Sequence, residues 1–244
     1  ALQRIEAFIN RREQILLRFE TRQPEALGPI ASALCSEFPD IVGIVADPIG
    51  SRPQKTIVLQ GQDWILQSLG GQDFRVSAGS FFQTNLDAAE QMLAVMGQWL
   101  MPECSSLVDI YAGVGLFATH FGGRYPRVLA IESDANAMAS ARVNVETNGA
   151  AHVSLLTGDA ARVLKNIRET FDVAIVDPPR AGCQPLVLDW LNRQVKHQLL
   201  YVSCNPTTLA RDLKALVAAG WRIQTVQPID MFPQTYHVET FVNL

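Results

Sequence analysis

Three residues in the C-terminal half have the chemical type and the setting to take part in a reaction. Cys204 ends the apolar run Leu199–Val202–Ser203 and is followed at once by Asn205 and Pro206. A free cysteine at a strand end is usually a core filler. As a reagent it would act as a thiolate, which the start of a following helix favours through its dipole. Asp177 precedes two consecutive prolines in "VDPPRAG"; these lock the backbone and remove two donors, so the acid projects from a rigid loop. Glu239 lies in the closing segment "HVETFVNL" with Val238 beside it and Phe241 on its own face. Burial there would raise its pKa and suit it to accept a proton; exposure would make it an ordinary surface strand residue.

A second group has the spacing of a nucleoside-binding site. "DIYAGVGLF" places Gly113 and Gly115 where a strand must turn tightly and let its backbone approach a ligand. Glycines also end strands for structural reasons, so this pair is weak on its own. Glu132 ends the next apolar run 19 residues after Gly113, where a carboxylate can accept hydrogen bonds from ribose hydroxyls. Asp134 is better placed than Glu132 to cap the helix that follows. Asp159 in "TGD" is open to two readings, a contact to an adenine amino group or the N-cap of the next helix.

To position these residues the chain must alternate strands and helices, and from about Asn85 onward it does. "SLVDIY", "RVLAIES", "HVSLLTGD", "FDVAIVDPPR" and "QLLYVSC" read as strands, separated by helices such as "DANAMASARVNVETNG" and "PTTLARDLKALVAAG". Asn85 caps a helix with apolar residues through Met92, Met96 and Leu100, and Pro206 opens the last one. Two closing strands, "WRIQTVQPID" and "HVETFVNL", have no helix between them and are expected to be antiparallel. This pattern predicts an α/β fold with a doubly wound, mainly parallel, seven-stranded Rossmann-like sheet, the arrangement of S-adenosylmethionine-dependent methyltransferases. Residues 1–82, with a helix around 24–37 and short strands "IVGIVAD", "KTIVLQG" and "WILQSLG", are expected to form a small mixed α/β appendage. Residues 83–244 are expected to form the catalytic domain.

Composition narrows the setting. With 244 residues, 48% apolar and 18% charged, the chain can bury a large core. It has no run of about 18 apolar residues and no signal-peptide pattern, so a cytoplasmic, reducing location is expected. The four cysteines and four histidines form no ligand-spaced cluster, so neither a metal nor an iron–sulfur site is expected. Cys35, Cys104 and Cys183 read as structural. The net charge of −4 leaves room for a nucleic-acid partner only through a local patch. Arg180 and Arg211 are candidates near the motifs; Arg4, Arg11, Arg12, Arg18 and Arg22 read equally well as a solvated helix face with compensating glutamates.

Taken together, "GSFFQTN", "DPPRAG", "SCNPTTLARD" and "DMFPQTYHVET", with the Asp109–Phe117 turn, resemble the RNA 5-methyluridine methyltransferases over about Gly79 to Leu244. The first of these motifs precedes the regular region and the others follow in the family's order. The resemblance implies S-adenosylmethionine as cofactor and RNA as substrate, with "DPPRAG" and "SCNPTTLARD" leaning toward the 23S ribosomal RNA members over the tRNA members. It implies that Gln83, Tyr111, Glu132, Asp159 and Asp177 bind the cofactor or border the base pocket, that Cys204 is the nucleophile and that Glu239 is the base. Phe81, Phe82, Phe232 and Tyr236 lie in the motif loops as stacking candidates for an extruded base. Two departures stand out: Leu116 occupies a position where many members have asparagine, and neither the RNA-binding β-barrel nor the four-cysteine site of some members is visible. The chain is read as a catalytic fragment or a shortened member. The competing readings are methylation of an exocyclic amine of a nucleobase, which needs no nucleophile, and a non-catalytic RNA-binding module of the same fold.

Overall fold

The structure, a computed structural model, describes residues 2–50 and 56–244. The chain divides into two compact units, Ala1–Phe81 and Phe82–Leu244.

The first unit begins with an antiparallel pair, β1 (Leu2–Ile9) and β2 (Ile15–Thr21). A 3-10 turn at Pro24–Leu27 leads into α1 (Gly28–Glu37), and then come β3 (Ile41–Pro48) and β4 (Ile57–Gly61). These four strands form one sheet in the order β1-β2-β3-β4. Phe19, Ile44 and Ala46 pack with Ala31 of α1 as its core. The expected strand "KTIVLQG" is realised as β4 over Ile57–Gly61; its Lys55 lies outside the described residues. A separate hairpin pairs β5 (Trp64–Leu69) with β6 (Gln72–Ser77). Its two-residue turn is Gly70–Gly71, both at positive φ, the backbone that matches the twist of the flanking strands.

The N-terminal arginines correct the helix-face reading, because Arg4 and Arg18 stand on strands. The Arg18 Nε donates to Asp47 Oδ2 at 2.7 Å and its Nη1 to Glu6 Oε2 at 2.7 Å. Asp47 is only 2% exposed, so this is a half-buried charge network holding β1, β2 and β3 together. Period-two alternation of Ile5, Ala7 and Ile9 is the signal that marks β1 as a strand.

The second unit opens with α2 (Leu86–Trp99), whose Asn85 cap accepts from the Ala88 amide at 3.1 Å. Strands and helices then alternate: β7 (Ser106–Ile110), α3 (Leu116–Gly122), β8 (Arg127–Glu132), α4 (Ala135–Thr147), β9 (Ser154–Thr157) and α5 (Ala160–Leu164). They continue through β10 (Phe171–Val176), α6 (Pro185–Gln194), β11 (Val195–Ser203) and α7 (Pro206–Ala218), and close with β12 (Thr225–Ile229) and β13 (Glu239–Asn243). The α5 helix covers only the first five of the ten residues of "AARVLKNIRE", the segment whose pattern predicts a helix. All seven strands form one sheet in the order β12-β13-β11-β10-β7-β8-β9. Five pair in parallel ladders; β13 inserts between β11 and β12 and runs antiparallel to both, so β12 points the same way as the five. Every residue of β7 is buried, as expected of a central strand covered by helices on both faces. The strand order reverses between β7 and β10, which places a crevice beyond their carboxyl ends.

Candidate active site

Parallel register carries the motif residues to one edge of the sheet. Val176 of β10 pairs with Ile110 of β7 and Tyr201 of β11, while Ile110 pairs with Ile131 of β8. Tyr111, Glu132, Asp177 and Cys204 each follow within three residues of those partners, so all four emerge at the same carboxyl edge. Antiparallel β13 brings a fifth residue from the opposite direction. Ser203 pairs with Thr240, and one step further along each strand stand Cys204 and Glu239.

The β7 turn and the end of β8 are joined by hydrogen bonds. Glu132 Oε2 accepts from the Gly113 amide at 2.9 Å, and Oε1 accepts from Ser133 N at 2.6 Å and Asp134 N at 2.8 Å. Asp134 is indeed the cap of α4, accepting from Ala137 N at 2.7 Å. Three backbone donors thus aim the Glu132 carboxylate, Oε1 also accepting from the Ser133 hydroxyl at 3.1 Å, and Oε2 retains lone-pair capacity for a further donor. A Cβ on Gly113, at φ +56°, would meet no atom within 4 Å, so the turn opens on free space there. Gly115 serves packing instead: at φ +80° its Cβ would come within 3.1 Å of Ala141. Leu116 is buried at the start of α3.

Asp109 lies beneath this turn, fully buried. Its Oδ2 accepts from Ala118 N at 2.9 Å, whereas Oδ1 has no hydrogen-bond partner among the described residues. Burial pushes its pKa up to about 7. Tyr111 holds the strained turn after β7 at φ +69°, unusual for a residue with a side chain. Its ring packs against the core under α6, and burial raises its pKa. Asp159 caps α5, accepting from Arg162 N at 3.1 Å, and its other oxygen accepts from Gln184 Nε2 at 3.0 Å. The cap reading of Asp159 is therefore realised, with lone pairs still open to a further donor. Gln83 is 7% exposed just ahead of α2.

Around Cys204 the side chains are charged and partly desolvated. Burial pushes Asp177 up to about 8, with the charges of Glu239 and Asp109 adding to the effect. Glu239, 5% exposed, is raised by burial to about 7 against the opposing Arg180 guanidinium. Burial, with Glu239 and Asp177, also raises the Cys204 thiol, while Arg180 acts on it in the lowering direction through its charge and a hydrogen bond. Desolvation and the two acids thus act on the thiol in the direction opposite to that expected of the α7 dipole. Cys204 is half-buried, and Cys183 is buried.

Arg180 reads in the sequence only as a cation for a local basic patch, and the structure gives it a larger place. Its backbone carbonyl accepts from Asn205 Nδ2 and from Thr208 Oγ1, each at 3.1 Å. Asn205 also caps α7, accepting from Thr207 N at 3.0 Å. The turn after Cys204 and the loop after Asp177 are therefore tied together directly. An arginine immediately after the two prolines of a rigid acidic loop was the available signal.

Comparison with known proteins bears on this arrangement. Residues 43–244 match the family described as tRNA (uracil-5-)-methyltransferase. An uncharacterized RNA methyltransferase of Thermosynechococcus vestitus is 34% identical over 231 residues, covering 89% of this chain and 51% of that protein. One from Gloeobacter violaceus is 38% identical over 223 residues, covering 88% and 48%. The chain spans about half the length of these curated relatives. Among solved structures, the tRNA (uracil-54, C5)-methyltransferase of Pyrococcus abyssi, in complex with S-adenosyl-L-homocysteine, superposes with a TM-score of 0.79 at 28% identity, over 100% of this chain and 59% of that one. The tRNA m1G37 methyltransferase of M. jannaschii, 12% identical with a TM-score of 0.63 over 99% and 74% of the two chains, shares the fold alone.

Proposed function

The chain belongs to the tRNA (uracil-5-)-methyltransferase family, and from that membership we propose that it transfers a methyl group from S-adenosylmethionine to carbon 5 of a uridine in ribosomal RNA or tRNA, through a covalent Cys204 adduct. The observation that carries the reading is the strand register that sets Cys204 beside Glu239 at the edge where Asp177 emerges.

The open turn at Gly113 and the aimed Glu132 carboxylate fit a nucleoside cofactor. Glu132 would take the ribose hydroxyls, with Gln83, Tyr111, Asp159 and Asp177 as the remaining contacts. S-adenosylmethionine supplies an electrophilic methyl group on a sulfonium centre and leaves as S-adenosylhomocysteine.

Carbon 5 of uracil is too weak a nucleophile to take that methyl group unaided. The Cys204 sulfur forms a bond to carbon 6 and its electron pair pushes density through the ring to carbon 5, which then bonds to the methyl carbon. Arg180, the cation closest in effect to both Cys204 and Glu239, favours the thiolate over the thiol. Glu239 then removes the proton from carbon 5; those electrons restore the carbon 5–carbon 6 double bond and expel the Cys204 thiolate. A carboxyl raised to about 7 is matched to that proton transfer near neutral pH.

Cys204→Ala should abolish methylation of RNA taken from cells lacking this gene. Retained methylation would exclude the covalent route and favour transfer to an exocyclic amine. Glu239→Gln should accumulate a protein–RNA band that survives denaturation, and normal turnover by that variant would remove Glu239 from the role. Mapping 5-methyluridine in tRNA and ribosomal RNA from the same cells identifies the RNA.

A further inference from the structure

The loop between β12 and β13 presents an aromatic surface that the methyl-transfer chemistry does not use. Tyr236 is 89% exposed, yet it sits on an ordered turn. The Thr235 amide donates to Phe232 O at 3.2 Å, its hydroxyl donates to the same oxygen at 2.7 Å, and the His237 amide donates back to Thr235 Oγ1 at 3.2 Å. The Tyr236 ring lies 4.2 Å from the His237 ring at 43°, and Phe232 meets His237 edge-on at 6.1 Å. His237 Nε2 in turn faces Arg180 Nη2 at 3.5 Å. A continuous rim therefore runs from Arg180, whose charge acts on Cys204 and Glu239, through His237 to the exposed tyrosine.

We propose that Tyr236, backed by His237, is a stacking platform for a base of single-stranded RNA that flanks the target uridine, an inference that rests on the enzymatic reading above. The target base itself has to reach Cys204 and Asp177, whereas the exposed Tyr236 ring is linked to Arg180 only through His237, so the ring is assigned to the neighbouring base. Extruding one base strips its neighbour of a stacking partner. An exposed ring held on a hydrogen-bonded turn and backed by His237 replaces that partner and tolerates any base, because every base has a π-face.

The test compares the wild-type chain with Tyr236→Ala and Tyr236→Phe. Binding is read by fluorescence anisotropy, at one salt concentration, to a labelled oligouridine of about 12 nucleotides and to an abasic ribose-phosphate strand of equal length. Tyr236→Ala should weaken oligouridine binding about 10-fold. Tyr236→Phe, which keeps the ring, should bind as wild type does, and neither variant should alter binding to the abasic strand. Equal oligouridine affinity in wild type and Tyr236→Ala, an equal loss on the abasic strand, or no preference of the wild type for oligouridine over the abasic strand would each overturn the platform. Methyl transfer by the wild-type chain is measured separately, so failure of the enzymatic reading is distinguishable from failure of the platform.

Discussion

At the scale of single residues, the charges around Cys204 make a prediction with a definite sign. Glu239 and Asp177 raise the thiol and Arg180 opposes them. Reaction of Cys204 with iodoacetamide requires the thiolate, so its rate should rise with pH to a plateau above the ordinary thiol range. Glu239→Gln removes a negative neighbour and should move that profile to lower pH; Arg180→Ala removes the cation and should move it to higher pH. Mass spectrometry must locate the modified residue, because Cys35 and Cys104 are also partly exposed. Identical profiles in all three proteins would mean that these side chains do not govern the thiol. The same logic sets the pH dependence of turnover. On the proposed mechanism, Glu239 with its pKa pushed up to about 7 would be protonated below that value and unable to take the carbon 5 proton, so the yield of the denaturation-resistant protein–RNA band should rise as the pH falls.

At the scale of elements, α7 clamps the loop that carries Asp177 and Arg180. Asp212, fully buried on α7, accepts from the Cys183 amide at 2.7 Å and from the Tyr201 hydroxyl at 2.6 Å, and pairs with Arg211. Arg211 Nη2 also donates to the Ala181 carbonyl at 2.9 Å. Gly182 sits inside this clamp at φ +78°, where a Cβ would come within 2.5 Å of Arg211 Nη2 and 2.6 Å of Asp212 Oδ2. Gly182→Ala therefore combines an unfavourable backbone with a clash, and should cost about 1–3 kcal/mol. Asp212→Ala leaves a buried amide and a buried hydroxyl without an acceptor, and should cost about 2–5 kcal/mol. Asp212→Asn keeps an acceptor and should cost less. Urea denaturation measures all three; a wild-type midpoint for Asp212→Ala would show that the clamp contributes nothing.

At the scale of the whole molecule, three desolvated acids with raised pKa values, Asp109 and Glu239 buried and Asp177 partly so, bias stability toward acidic pH. Asp109 and Glu239 titrate near 7 and Asp177 near 8. Between the unfolded carboxyl value of about 4 and those folded values the native state holds more protons, so stability falls as pH rises through that window. Asp172 has the opposite sign but is held down to about 2 by its serine hydrogen bonds, so its effect is complete below that window. The melting temperature should accordingly be higher at pH 5 than at pH 8, and Asp109→Asn should shrink the difference. Much of this molecule was legible in its sequence, because the controlling forces are local. The alternation of apolar runs and amphipathic segments dictated the parallel strands and their helices, and the caps at Asn85 and Asp134 are read from side chains that bond to backbone within three residues. The strand ends carrying Glu132, Asp177 and Cys204 follow from the same pattern. The β1–β2 hairpin escaped notice because its arginines suggested a helix face, while the partners that hold Arg18 include Asp47, 29 residues away. Only tertiary structure decided that β13 inserts beside β11, that Glu239 thereby stands next to Cys204, and that Arg180 reaches both. Those relations depend on pairing and electrostatics between segments distant along the chain, where distance in space, not spacing in sequence, sets the energy.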